Sequence, residues 1–134
     1  MLNLSIALHL LVSLGVIAMG IKYICATPPL GYHAEITKAD KLSKEALMIL
    51  GALYKAMGGG FVSLGVMLVL LTLFGVWNDL LWAKFAALAG ALIAGSFAML
   101  APRKIEQLTG VTTPWRIAAA LTALAVVAFV VSIL

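Results

Sequence analysis

The chain has 134 residues, 64% of them hydrophobic and 10% charged, and carries a formal net charge of +4; its mean hydropathy is +1.16. Soluble domains are about half apolar and about a quarter charged, so this composition excludes a water-soluble fold and makes a lipid bilayer the solvent. The basic residues sit mainly at the ends of apolar segments, not in a stripe interleaved with aromatics, which argues for orientation in a membrane and against nucleic-acid binding.

Four apolar segments follow in chain order. The first, about residues 4–26, lacks a basic leader and a persuasive cleavage site, so it reads as a retained span; Pro28 and Pro29 stop it. The second, about 56–77, is preceded by an amphipathic run in which Leu47, Leu50, Leu53 and Met57 repeat at helical spacing. Its helix should start near Ser43, with Thr37-x-x-Asp40 a looser capping box. At about 50 Å it would extend beyond the hydrocarbon core. A break at Gly58-Gly59-Gly60 is the alternative. The third segment, about 80–101, should be capped by Asn78 or Asp79 and stopped by Pro102. The fourth, about 115–134, should open with Thr113 as N-cap and Pro114 as first helical residue. Continuous rather than alternating apolar runs imply helices, since only helices and closed barrels satisfy the backbone in lipid. The expected fold is an all-α, four-transmembrane-helix bundle forming one integral membrane domain over residues 1–134, with helix two extended beyond the membrane.

Charge sets the threading. One side would hold Lys22, Lys38, Lys41, Lys44, Lys55, Arg103, Lys104 and Arg116, and the other only Lys84. The positive-inside rule then puts the two longer loops in the cytoplasm and both termini outside. Aromatics mark the interfaces, with Tyr23, Tyr32, Tyr54 and Trp115 at one and Trp77 and Trp82 at the other.

Small residues should set the packing, because lipid removes the ordinary hydrophobic drive between helices. Helix two has Gly51, Gly58 and Gly65 on one face; helix three has Ala83, Ala87, Ala91 and Gly95. These two stripes are expected to face each other.

Few polar groups could carry chemistry. Lys55 shares the glycine face with Gly51 and Gly58, where an ionisable group suggests a site, although a lysine near the interface can also snorkel. His33 and Glu35, in the loop "PPLGYHAEITKADKLSKE", could supply an acid–base pair or two metal ligands, or simply tie the loop to Arg103 or Lys55. Two ligands do not make a metal site, and none is assigned. His9 aligns with Ser5 and Ser13 and should make interhelical hydrogen bonds. No carboxylate lies well inside a span, which argues against an ion-coupled pump. Cys25 is the only cysteine, so a disulfide or redox pair within the chain is excluded. No phosphate-binding, dinucleotide or hydrolase motif is present, and no cofactor is expected.

The stretches "GYHAE", "YKAMGGGF", "WNDLLWAKF" and "RKIEQLTGVTTPW" cover most of the chain. In their order they resemble a family of small, uncharacterised bacterial four-span integral membrane proteins. In that family a Tyr-His pair follows span one, and Thr-Gly…Thr-Pro-Trp precedes span four. Here Gly31 stands where proline would precede Tyr-His. The resemblance implies a bacterial inner-membrane bundle with Tyr32, His33, Arg103 and Trp115 near the cytoplasmic interface, and it supplies no activity.

The residues leave two functions open, with an enzyme the less favoured. The first is a structural or accessory module that packs with itself or with a membrane-protein partner. The second is a membrane-embedded carrier or enzyme for a lipophilic small molecule, with a cytoplasmic-side pocket lined by Tyr32, His33, Glu35, Lys55 and Arg103.

Overall fold

The computed structural model describes residues 1–38 and 41–134, so Asp40 of the expected capping box lies outside the described residues. The chain is all-helical, and four of its helices are long and apolar enough to cross a membrane. They are α1 (Leu2–Cys25), α3 (Lys44–Leu71), α4 (Leu81–Thr109) and α5 (Trp115–Ile133); a short α2 (Gly31–Thr37) lies between α1 and α3. Ser43 caps α3, its hydroxyl accepting from the Ala46 amide at 3.2 Å. Thr37 donates instead to the His33 carbonyl at 2.7 Å. The helix runs unbroken through Gly58-Gly59-Gly60 and continues into a π-helical turn, Thr72–Val76. That turn widens the helix where Gly75 meets the Ala83 methyl, so the hairpin to α4 closes tightly there.

The helices form a ring in the order α3, α1, α5, α4. The α1–α3 seam is the most extensive. A Cβ on Gly58 would lie 2.6 Å from the Gly20 carbonyl oxygen, and one on Gly20 2.7 Å from the Gly58 oxygen, so the two backbones touch. Gly65 sits against Ile17 and Ser13 of α1, and Gly51 against Pro28. The expected pairing of the glycine stripe with the α4 alanines is therefore corrected. The stripe packs on α1, because Gly20 offers a matching gap that no alanine methyl can. The α4 stripe turns elsewhere: Ala91 packs with Val12 and Ala125, and Gly95 against Thr122 of α5. Facing α4 across the remaining gap, α3 presents Leu53, Met57 and Phe61. The two helices meet at the π-turn and diverge toward the other end.

Three expected helix ends move. Pro102 does not stop α4. It removes the donor to one carbonyl, that of Ala98, and Arg103–Thr109 are mostly good helix formers. The helix ends instead at Gly110, in the left-handed conformation (φ 73°) that favours glycine, its N–H bonded to Glu106 O. Thr113 does not cap α5, which starts at Trp115. Its amide and hydroxyl are drawn back to the Glu106 carboxylate at 2.8 and 3.3 Å, and the hydroxyl also donates to Pro102 O. Neither Asn78 nor Asp79 caps α4. Asn78 donates back to Phe74 O, and Asp79 pairs with Lys84 at 2.5 Å.

Lys84 itself is 4% exposed. Its ammonium also donates to the Ser132 carbonyl, placing a positive charge at the C-terminal end of α5, where the helix dipole favours it. Asp79 stays largely in solvent, so Lys84→Met would lose the charged bond to Ser132 without burying an acid. A loss of about 1.5–3 kcal/mol is expected, read by reversible unfolding in mixed micelles. On the same flank Ser5 donates across to Ala128 O at 3.2 Å. The interhelical role expected for the whole His9 row is thus filled by Ser5; His9 Nδ1 meets Ser5 O and Ser13 donates to His9 O, both within α1.

Candidate functional site

The divergence of α3 and α4 leaves a cleft of about 600 Å³. Its walls are apolar: Leu50, Leu53, Met57 and Phe61 on α3, Ala94, Phe97, Ala98 and Ala101 on α4, with Met19 of α1 behind. Leu53 and Phe97 line it yet are 58% and 74% exposed, so the cleft opens sideways, toward what would be lipid. Its polar atoms gather at one end, where Tyr23, Tyr32, His33 and Tyr54 close it.

Tyr54 organises that end. It is 2% exposed, and its ring meets Tyr23 edge-on at 5.7 Å. Its hydroxyl accepts from the Leu30 amide at 3.1 Å and hydrogen-bonds His33 Nδ1. These two bonds pin the start of α2 over the cleft, and the Tyr32 ring packs on His33 at 4.0 Å. From the sequence, Tyr54 reads only as an interface aromatic. The missed signal was its position four residues before Gly58, on the glycine face. Positions 54 and 55 both border that face, and only one can turn in. Burying a phenol with two hydrogen bonds costs far less than burying an ammonium, so Tyr54 turns in and Lys55 is exposed.

Of the five sequence-level site candidates, the structure brings Tyr32 and His33 into the cleft lining. Glu35 and Lys55 are exposed and do not line it. Arg103 is also outside, its guanidinium over the Trp115 ring at 5.3 Å, with Arg116 over the same ring at 4.9 Å. His33 ties the loop to Tyr54, not to Arg103 or Lys55. Glu106, unremarked in the sequence, joins α4 to α5 by accepting from Thr113 and pairing with Arg116 at 2.9 Å. Among the described residues no three His, Cys, Asp or Glu side chains converge as metal ligands would.

Tyr54 oxygen accepts from Leu30 N–H and keeps its own proton, which it can donate to His33 Nδ1 of a neutral imidazole. Burial acts in the same direction, holding His33 below its ordinary value of 6.5. Tyr32 is pushed well above the ordinary phenol range, first by burial and then by the neighbouring Tyr23, so it remains a donor. With the folded-state pKa of His33 depressed, the unfolded chain binds the proton more readily. Stability is then fully present above about pH 6.5 and is lost as pH falls through the folded value. The melting temperature should drop between pH 7.5 and pH 5, and drop less in His33→Gln; equal slopes would mean the imidazole is not held neutral.

Comparison with protein-family models, curated proteins and solved structures finds no match for this chain.

Proposed function

We propose that the protein is an intramembrane binder of a single lipophilic molecule, which it takes from the bilayer through the opening between α3 and α4. The observation that carries this reading is the cleft itself: about 600 Å³, apolar along its length, polar at one end, open at the side. That volume is within the usual range of small-molecule sites, about 300–1,000 Å³. A long-chain amphiphile matches its polarity, with the head at the Tyr–His end and the chain between Phe61 and Phe97. The proposal is of binding, not catalysis: the roof offers an imidazole and phenols bonded to one another, and Glu35 stands apart from them.

Ala98 lines the middle of the cleft. In nanodiscs, a C16 amphiphile at a hundredfold excess over its dissociation constant should stabilise the protein by about 2.7 kcal/mol. Ala98→Phe should abolish that gain while melting near the unliganded wild type. Equal stabilisation of both proteins would place the molecule outside the cleft and end this reading.

A second reading, an accessory module for another membrane protein, is supported by Ala52, Ala56 and Gly60. These small residues lie exposed at spacing four along the outer side of α3, where a second helix could approach closely. In either case we propose a bacterial inner membrane, with the Tyr–His end and both longer loops cytoplasmic and both termini periplasmic. The excess of Lys and Arg at that end supports this orientation.

A further inference from the structure

The roof of the cleft has little left with which to seat a polar head. Tyr54 oxygen and His33 Nδ1 bond each other, and Tyr54 also holds Leu30 N–H. Only His33 Nε2 remains unused on that pair. Behind the roof, however, lies a second cavity of about 340 Å³ between the α1 end and the α4–α5 loop. Tyr23, Tyr32 and Pro114 line both cavities. Lys22 and Thr112 stand on its far side.

Among the described residues, the charged side chain that lines this chamber is Lys22, and the Glu106 carboxylate behind Thr113 is paired with Arg116. Among the described residues no carboxylate lies within ion-pair distance of Lys22. Arg103, beside the chamber's Pro114 wall through its stacking on Trp115, likewise has no carboxylate partner among them, whereas Arg116 is offset by Glu106. Tyr32, a phenol that stays protonated, lines the chamber beside Tyr23. Thr113 has already given its hydroxyl proton to Pro102 O or Glu106, so Thr112 is the free hydroxyl. Donors and positive charge without a carboxylate partner among the described residues fit an oxyanion, and they repel a cationic head.

We infer that the chamber beside Lys22 holds the oxyanion head, phosphate or carboxylate, of the amphiphile whose chain fills the cleft. This assignment rests on the cleft being an amphiphile site, and the test separates the two. Hexadecyl phosphate, hexadecanol and inorganic phosphate are titrated into nanodiscs of zwitterionic lipid holding wild type, Lys22→Gln, Lys22→Arg or Ala98→Phe, with melting temperature as readout. Hexadecyl phosphate is expected to bind wild type about tenfold or more tightly than hexadecanol. Lys22→Gln should remove that advantage and leave hexadecanol unchanged; Lys22→Arg should restore it; Ala98→Phe should lose both alkyl probes. Equal affinity for the phosphate and the alcohol in wild type would overturn the oxyanion head while leaving the cleft reading standing. Inorganic phosphate binding as tightly as hexadecyl phosphate would make the chamber a free-anion site and overturn the link to the cleft. Failure of both alkyl probes would overturn the cleft reading and this inference together.

Discussion

Gly58→Leu should separate α1 from α3 and cost above about 3 kcal/mol, the upper end of what overpacking usually costs. A Cβ at this position would stand 2.6 Å from Gly20 O and 2.9 Å from Ile24 N. Both are backbone atoms, so no side chain can swing aside and the helices themselves must part. The seam they form is the most extensive in the bundle, and lipid offers no hydrophobic penalty for opening it. Gly60→Leu is the matched control. A Cβ there meets nothing within 4 Å, and the same change of residue should move stability by about 0.5 kcal/mol or less. Unfolding by graded SDS in mixed micelles reads both. Similar losses in the two variants would contradict close approach at Gly58 as the source of the effect, since helix propensity alone favours leucine at both positions.

Tyr54→Ala should have the second large effect, about 3–5 kcal/mol, because it removes a 2%-exposed aromatic from beneath α2. Tyr54→Phe divides that loss. It keeps the ring against Tyr23 but strands Leu30 N–H and His33 Nδ1, at about 1–3 kcal/mol for buried groups left unpaired. The two losses also differ in location. Phe should release mainly α2, so amide exchange over Leu30–Thr37 should accelerate while α1 and α3 stay protected. Ala should loosen the cleft wall as well. Uniform acceleration across the bundle in Tyr54→Phe would contradict the assignment of Tyr54 as a local pin.

The spans and the Ser43 cap were legible because they depend on composition and on local hydrogen bonding. The pairing of faces was not. The spacing of Gly51, Gly58 and Gly65 marks a narrow face on α3 but does not say which neighbour has the complementary gap. That information lies in Gly20, a single glycine without a repeat. The choice between Tyr54 and Lys55 was equally balanced in helical geometry and was decided by desolvation, a tertiary effect. α2 escaped notice because seven residues carry too little periodicity to register, and Tyr54, far along the chain, holds it in place. Pro102 reads as a stop in the sequence because proline usually is one. The rest of α4 depends on favourable residues beyond it and on the Thr113 and Glu106 contacts that secure the following loop. Lys84 looked like a far-side surface charge; its burial rests on Ser132, at the opposite end of the sequence.

The cleft as a site was half visible. Tyr32 and His33 stood out as polar residues in an apolar chain, and they do line it. Glu35, Lys55 and Arg103 stood out for the same reason, but charged groups in a membrane protein turn to the aqueous edge unless a partner holds them. The apolar walls, which define the cavity, gave no signal, because Leu53, Met57 and Phe97 look like any lipid-facing residues.

Native mass spectrometry of the protein, released gently from its own membrane, tests the central claim most directly. A chain of 14.1 kDa carrying one amphiphile, absent from Ala98→Phe, is the expected result. An unliganded chain, or a chain bound only to another polypeptide, would contradict the cleft as a binding site, and the second outcome would favour the accessory reading.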